Sequence, residues 1–355
     1  MKSIRSKVTL IVVLILMCLI SGGYLGINIY INNLIDKTET DDIDRQEVII
    51  IEDNTPKANE VVNFMLIGAD NLDGAGREQS YVQQRSDVFK LVSLDYTAKK
   101  IKLTSLDRDL VVWIPDKGGV GEYGHFNWAY SFGGAKYAFD TINYNLDLDV
   151  DKYVSFSFAG FIHVIDILGG VDVELSQAEA DAFNGIGSTN ATMNTYVYAG
   201  INHLDGYNAL KYCQQRYVDS DFYRMERQNT IIKKVVEKVK DCSYVEMLNL
   251  VEECLPYVTT NLSNDEIRKY LFDIISFDLK NIETHTYPSG GSDDVCVNKS
   301  SLGGYLINSY VNQVIDLHKF IYGTDDYEPT DTIYELEEDI YATFGDYYEG
   351  SGLIP

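Results

Sequence analysis

The clearest hydrophobic pattern in the chain is a pair of β-rich runs, 88–94 and 101–106, on either side of a polar turn at 96–100. Branched and aromatic residues bounded by a turn predict a β-hairpin. If the turn centres near Thr97–Ala98, residues whose numbers sum to about 195 lie opposite each other.

This register brings charged residues together at one end of the hairpin. Asp87 faces Arg108, and Arg85 and Asp109 lie just beyond this pair. The pattern therefore predicts two arginines and two aspartates at one end of a sheet.

An apolar stretch without charged residues covers 8–31, after a basic segment at 1–7. It is long enough to cross a bilayer of about 30 Å as one helix. A cleaved signal peptide is the alternative, but the apolar run continues past the small residues at 21–23 to Ile31. Basic residues before the span and acidic residues after it place the N-terminus in the cytoplasm. We expect a single-pass anchor in the cell membrane, with the rest of the chain outside the cytoplasm.

The acidic composition of segment 32–60 predicts an extracytoplasmic linker. The fold is expected to begin at the apolar strand 61–67, which leads through Gly68 and Ala69 to Asp70. An aspartate directly after a buried strand lies at a sheet edge where ligands collect.

Strand and helix patterns alternate through the rest of the chain, which predicts an α/β/α sandwich with a central mixed β-sheet over 61–322. The predicted strands are 111–115, 153–158, 171–175 and 282–287, and the predicted helices are 135–146, 161–168, 205–216, 221–240, 244–258, 265–275 and 301–322. The segment 323–355 is acidic and rich in tyrosine, and is predicted to be a solvated or disordered tail with at most one short helix at 334–344.

The helix predicted at 221–240 has an informative face. Asp221, Arg224 and Gln228 lie on one face, which becomes Ile232 and Val235 further along. An apolar second half indicates that this face points inward, so the polar first turns also lie near the core. The N-terminus of a helix favours anions.

Composition narrows the function. The chain has 54 acidic and 29 basic residues, a net charge of −25, which excludes a large basic surface for nucleic acid. A small phosphorylated ligand needs only a few local arginines and a metal ion. The five cysteines form no CxxC pair and no cluster with histidine, so a zinc site is not expected.

A lone arginine most often pairs with a surface carboxylate, but arginines gathered with aspartates suit a phosphate or pyrophosphate held by guanidinium groups. Asp70 and Asp87 are the expected ligands of a Mg²⁺ ion on the same oxygens. Positioning and charge neutralisation provide most of the catalysis of phosphoryl transfer, so these residues suffice for such a site.

The motifs taken together resemble the LytR–CpsA–Psr family of membrane-anchored bacterial cell-wall enzymes. The resemblance covers about 61–240, through FMLIGAD (64–70), RSD (85–87), LTSLDRD (103–109), FNWAYSFGG (126–134), FAGFIHVIDILGGVDVEL (158–175), LDGYNALKYCQQR (204–216) and DFYRMERQ (221–228).

The resemblance implies a transferase that moves a glycopolymer from a polyprenyl pyrophosphate carrier to a hydroxyl of peptidoglycan, forming a phosphodiester. It implies an apolar tunnel for the lipid in an α/β sandwich. Asp70 and Asp87 would bind Mg²⁺, while Asp109 and Asp221 would orient arginines, and either would help to deprotonate the acceptor. The pyrophosphate would be held by Arg85, Arg108, Arg216, Arg224 and Gln228, with Gln214 and Arg227 as further candidates.

Three residues depart from the family pattern. Gln214 stands where an arginine is usual, His125 where a lysine is common, and Val88 where a threonine is usual. Loss of one preorganised donor typically costs about 3–4 kcal/mol in the transition state. The sequence therefore leaves two alternatives open, namely a non-catalytic membrane-anchored binder or regulator of lipid-linked precursors, and a hydrolase of the pyrophosphate lipid.

Overall fold

The structure is a computed structural model that describes residues 33–349 apart from 34, 37, 51–59, 70–85, 116–120, 187–190, 216–220, 275, 291–295 and 298–301. Its strands are β1 (Glu39–Thr40), β2 (Val61–Ala69), β3 (Ser86–Asp95), β4 (Lys100–Leu106), β5 (Val111–Ile114), β6 (Glu122–His125), β7 (Tyr153–Ser157), β8 (Val171–Leu175), β9 (Gly200–Leu204), β10 (Val258–Thr260), β11 (Asp278–Tyr287), β12 (Cys296–Val297) and β13 (Leu306–Ile307). Its helices are α1 (Phe126–Leu146), α2 (Phe158–Ile167), α3 (Gln177–Phe183), α4 (Gly206–Gln214), α5 (Asp221–Asp241), α6 (Tyr244–Cys254), α7 (Asn264–Ile274), α8 (Tyr310–Tyr322) and α9 (Asp331–Glu349).

A seven-stranded mixed sheet with the order β1-β10-β7-β2-β3-β4-β11 lies at the centre of the fold. β2, β3 and β4 are antiparallel neighbours, whereas β7 and β11 join them in parallel. The predicted central mixed sheet is therefore confirmed.

The β3–β4 hairpin has the predicted register. Asp95 pairs with Lys100 at the turn, and Lys90 pairs with Ser105 at the far end of the ladder. The ladder between these strands stops there, so the predicted continuation to Asp87 and Arg108 is not formed. Instead the amide of Asp107 donates to the carbonyl oxygen of Tyr287 at 2.9 Å, and the chain turns away from β3.

The two faces of the sheet are covered differently. Helices α1, α8 and α9 pack on one face, the α1 face, where Met65, Ile67 and Leu91 are fully buried. On the other face, the α5 face, Phe64 and Leu94 pack with α7 in a separate apolar cluster. Residues of successive positions along β2 and β3 alternate between these clusters, as strand geometry requires.

Part of the segment expected to be an acidic linker lies against the fold. β1 pairs with β10, and Ile35 and Val48 are buried. The Ile49 amide donates to Asp140 Oδ1 at 2.8 Å, and Asn143 donates back to the Ile49 carbonyl oxygen at 2.8 Å. Val48 and Ile49, within an otherwise acidic segment, provide the contact.

The C-terminal segment is also part of the fold rather than a solvated tail. Helix α9 is longer than the short helix predicted at 334–344, and it buries Ile333, Leu336 and Ile340 in the cluster of the α1 face. Its approach is fixed by Asp147, which accepts hydrogen bonds from Tyr327 Oη at 2.7 Å and from the Thr330 amide at 2.8 Å. Helical spacing of apolar residues outweighs the acidic composition here.

The other predicted elements differ mainly at their ends. The helix predicted at 301–322 begins only at Tyr310, because Leu306 and Ile307 form β13. Helix α1 starts earlier than predicted and bends at Gly133 and Gly134, where Gly134 has a φ of 68°.

Within the described residues no helix is long and apolar enough to cross a bilayer. The anchor predicted at 8–31 lies outside the described residues.

We predict that Ile333→Ala lowers the free energy of unfolding by about 2–5 kcal/mol, because it removes apolar volume from a fully buried position and leaves a cavity. Chemical denaturation of the full chain measures this cost. The neighbouring exposed residue provides the control, and Tyr334→Ala is expected to change stability by less than about 1 kcal/mol. Equal costs for the two variants would contradict the packing of α9.

Candidate active site

Arg108 lies in the turn that follows β4 and is largely buried, with 8% of its surface exposed. Asp107 Oδ1 accepts from the Asp109 amide at 2.9 Å, and the Arg108 carbonyl oxygen accepts from the Asn127 amide at 3.1 Å. These bonds fix the backbone on both sides of Arg108. Its Nε lies 3.5 Å from Asp109 Oδ1, as expected for a carboxylate that orients a guanidinium group.

His125 extends this pair at the start of α1. Its Nδ1 lies 3.9 Å from Asp109 Oδ1, and its Nε2 lies 3.0 Å from the Leu302 carbonyl oxygen. The ring also stacks on Trp128 at 4.6 Å. Because a carbonyl oxygen only accepts, Nε2 carries the proton, and Nδ1 is the nitrogen that faces Asp109.

The first two turns of α5 bury Arg224 and Gln228, with 2% and 6% of their surfaces exposed. The inward polar face predicted for this helix is therefore confirmed for these two residues. The backbone of Asp221 begins α5, but its side chain lies outside the described part.

A buried polar contact holds α5 against the hairpin. Lys90 Nζ on β3 donates to Ser105 Oγ on β4 at 2.7 Å and to Asn229 Oδ1 on α5 at 2.8 Å. Asn229 directly follows Gln228, and Ser105 precedes Arg108 by three residues. The contact therefore brings the polar turns of α5 over the end of the hairpin from which the chain continues to Arg108.

Arg227 has a different position from the one expected of a pyrophosphate ligand. Its Nη2 donates to the Gln215 carbonyl oxygen at 2.8 Å, and its Nη1 lies 3.4 Å from Glu179 Oε1 on α3. These contacts tie α5 to α3 and to the end of α4, so we assign Arg227 a structural role.

Gln214, the last residue of α4, accepts from Lys211 Nζ at 3.3 Å through its Oε1. The amide nitrogen is the group that would donate to an anion. Gln214 thus provides at most one neutral donor where the family pattern has a cation.

Several predicted site residues fall outside the described residues, namely Asp70, Arg85 and Arg216. The backbone of Asp87 belongs to β3, but its side chain is not described. The pairing of β2 with β3 helps to locate the predicted metal ligands. Gly68 pairs with Val88 and Ala69 pairs with Ser86, so the register of the two strands shifts between these pairs. The backbone of Asp87 therefore lies between the two residues of β3 that pair with the end of β2, whereas the other predicted ligand, Asp70, lies outside the described residues. Within the described part no group of three or more histidine, cysteine or acidic side chains could hold a metal ion.

A band of half-buried apolar side chains crosses the α5 face, and we call it the apolar band. It consists of Val154 and Phe156 on β7, Leu66 on β2, and Val88 and Val92 on β3. Neighbouring positions of the same strands on the α1 face are fully buried, so the partial exposure of apolar side chains is specific to the α5 face. Two apolar clusters lie on the α5 face. One includes residues of α7, and the other is built from α2 to α5 and the β8–β9 hairpin. The two clusters share no described residue.

Sequence reasoning did not identify Lys90 as a site residue. The available signal was a lysine at an inward position of an otherwise apolar strand, between Val88 and Val92. The contact with Asn229 depends on how α5 packs, which the strand pattern does not contain.

The structure is an α/β fold with a central mixed sheet, and Arg108 and Arg224, two residues of the predicted anion site, are buried in it. The family model described as the LytR_cpsA_psr family matches residues 25–311. The chain belongs to this family, as its motifs indicated.

Several relatives of the chain are named transferases. Polyisoprenyl-teichoic acid–peptidoglycan teichoic acid transferase TagU of Enterococcus faecalis is 30% identical over 274 residues, covering 74% of this chain and 80% of the relative. The crystal structure of Bacillus subtilis TagV is 25% identical with a TM-score of 0.56, and the match covers 78% of this chain and all of that one. The enzyme class expected from the motifs agrees with these names.

A second similar structure supports the fold. It is described as the LytR-CPS2A-psr family protein YwtF (TagT) with bound octaprenyl pyrophosphate lipid. It is 21% identical with a TM-score of 0.52, and the match covers 77% of this chain and 95% of that one.

We predict that Arg227→Ala lowers the free energy of unfolding by about 2–3 kcal/mol, because it removes charge-assisted hydrogen bonds from a buried position. Thermal or chemical denaturation measures this loss. The exposed neighbour Glu226 supplies the control variant Glu226→Ala, which is expected to be nearly neutral. A stable Arg227→Ala protein with lost ligand binding would instead support the ligand role.

Proposed function

We propose that this chain is a Mg²⁺-dependent phosphotransferase that moves a glycopolymer from a polyprenyl pyrophosphate carrier to a hydroxyl of peptidoglycan. The proposal places it in the cell membrane, anchored by 8–31, with the α/β domain facing the cell wall. The observation that carries the proposal is the burial of Arg108, in the turn after β4, and of Arg224 on α5, the helix whose Asn229 contacts Lys90 and Ser105 near that turn.

Buried arginines favour an anionic ligand for an energetic reason. A guanidinium group loses hydration when it is buried, and a phosphate oxygen restores strong charge-assisted hydrogen bonds in a forked geometry. The N-terminus of α5 adds backbone amides and a positive partial charge at the same place. Pyrophosphate, with several negative oxygens, matches more than one arginine.

The apolar band supplies the second half of the ligand. Leu66, Val88 and Val92 lie on the same sheet face as Lys90, whose ammonium group contacts Asn229 on α5. Burial of apolar surface contributes about 25 cal/mol per Å², which favours a prenyl chain over water there. An anion site beside an apolar band fits an amphipathic lipid pyrophosphate, such as the ligand described for TagT.

The proposed reaction is a substitution at phosphorus. The acceptor hydroxyl oxygen forms a bond to the sugar-linked phosphorus, the bond between this phosphorus and the bridging oxygen breaks, and polyprenyl phosphate leaves with the electron pair. Arg108 and Arg224 stabilise the negative charge that develops on the phosphate oxygens. The hydroxyl proton passes to a carboxylate, for which Asp109 and Asp221 are the candidates. Asp109 is accessible, since 29% of its side chain is exposed.

A divalent cation held by Asp70 and Asp87 would neutralise charge on the pyrophosphate. The chemistry of these two carboxylates and the strand register fit such an ion.

We predict that Arg108→Ala lowers the rate of transfer by about 100-fold to 1000-fold, because it removes a preorganised cation from the transition state. Mass spectrometry would detect polyprenyl phosphate and the phosphodiester after incubation of the full chain with a lipid-linked sugar, a peptidoglycan oligosaccharide and Mg²⁺. Arg268→Ala, which removes an arginine on α7 that pairs with Asp265 at 3.3 Å, is the matched control and should leave the rate unchanged.

Three results would contradict the proposed site or the proposed reaction. An unchanged rate in Arg108→Ala would remove the site assignment. Polyprenyl phosphate with free sugar phosphate, and no phosphodiester, would indicate the hydrolase. Saturable binding without turnover of any sugar tested would indicate the non-catalytic binder that Gln214 and His125 left open.

We predict that EDTA abolishes transfer and that added Mg²⁺ restores it. Asp87→Asn should require at least about tenfold more Mg²⁺ for half-maximal rate, because it replaces a charged oxygen ligand with a neutral one. Titration of the rate with Mg²⁺ measures this shift, and Asp172→Asn, which replaces an exposed aspartate on β8, is the control. A rate that is insensitive to EDTA would contradict the metal requirement.

A further inference from the structure

Lys90 is fully buried, with 0% of its surface exposed, on the α5 face of β3. Its two hydrogen bonds go to the neutral oxygens of Ser105 and Asn229. Within the described part of the chain, Lys90 forms no ion pair with a carboxylate. A buried amine with neutral partners is costly in its charged form.

Lys102 provides a comparison, because it is a buried lysine with a structural role only. It lies on the opposite face of the same hairpin and is 5% exposed. Its Nζ lies 3.1 Å from Asp95 Oδ2 and donates to the Ile321 carbonyl oxygen at 2.8 Å. One buried lysine therefore has a carboxylate partner, whereas the other faces the candidate anion site without one.

The titratable and charged groups that act on Lys90 are Cys213 on α4 and Arg224 on α5. The pKa of Lys90 is lowered to about 7, mainly by burial, and the charge of Arg224 contributes to this shift. Burial raises the pKa of the Cys213 thiol to about 12, so this thiol is neutral and supplies no negative charge.

We propose that Lys90 is a proton-linked, charge-compensating residue of the anion site, neutral when the site is empty and protonated when a pyrophosphate is bound. The inference rests on the proposed function, because it requires a pyrophosphate at Arg224. An anion there offsets the repulsion between Arg224 and Lys90 and attracts the ammonium form. Ligand binding is therefore coupled to the uptake of one proton from solvent.

The test is calorimetric titration of the full chain with a short-chain polyprenyl diphosphate sugar. Titrations at about pH 8 in buffers of different ionisation enthalpy give the number of protons taken up. This diphosphate diester has no ionisation near that pH, and arginine does not titrate there. We expect wild type to take up roughly half to one proton per ligand and Lys90→Met to take up nearly none. Lys102→Met should retain the wild-type uptake.

Thermal unfolding without ligand provides a second readout. A lysine whose pKa is lowered in the folded state destabilises it fully below about pH 7, and this penalty disappears as the pH rises towards the unfolded value of 10.5. Lys90→Met should therefore raise Tm at neutral pH, with a smaller difference from wild type at about pH 10. Ser105 Oγ and Asn229 Oδ1, 3.2 Å apart, remain hydrogen-bonded without the lysine. Lys102→Met should lower Tm, because it leaves Asp95 buried without its ammonium partner.

Lys90→Gln is the second variant, since it keeps a polar end but never carries a charge, and it too should abolish proton uptake. Binding to wild type without uptake, or uptake that persists in both Lys90 variants, would overturn the role of Lys90 and leave the proposed function intact. Failure of wild type to bind the diphosphate would overturn both proposals.

Discussion

The antiparallel pairing of β3 with β4 is the interaction on which the candidate site depends. It sets Lys90 opposite Ser105 and ends there, so that the chain is free to turn at Asp107 and bury Arg108. The same two side chains, Lys90 and Ser105, receive Asn229 of α5. One strand register thus determines the position of the turn and of the helix that carries Arg224.

The cost of burying positive charge explains why the two faces of the sheet differ. On the α1 face Lys102 is neutralised by Asp95, and the apolar side chains around it are closely packed. On the α5 face Lys90 is buried against Asn229 of α5, the helix that also carries the buried Arg224, and the apolar band there remains half-buried. A carboxylate offsets the cost of burying Lys102, whereas Lys90 has only neutral partners among the described residues.

The segments at the two ends of the described chain complete the domain. Ile35 and Val48 precede the first central strand, and α9 follows the last elements of the sheet, yet all are buried. Their acidic composition places charge on the solvent side while a few apolar residues at the right spacing supply the contact. Net charge is therefore a poor guide to whether such segments pack.

The sequence alone determined the elements whose patterns are local. The hairpin register followed from alternation and the turn, and the inward face of α5 followed from helical periodicity. The family followed from motifs in the correct order.

Only the tertiary structure showed which groups contact the buried cations. Arg227 and Arg224 lie on the same helix and look alike in sequence, but Arg227 contacts Glu179 and the Gln215 carbonyl oxygen. In the sequence, Lys90 is a charged residue within an otherwise apolar strand. In the structure, it donates a hydrogen bond to Asn229 of α5. Periodicity specifies the direction in which a side chain points from its own helix or strand. The partner of that side chain comes from a distant part of the chain. This partner determines whether a buried charge is structural or available to a ligand.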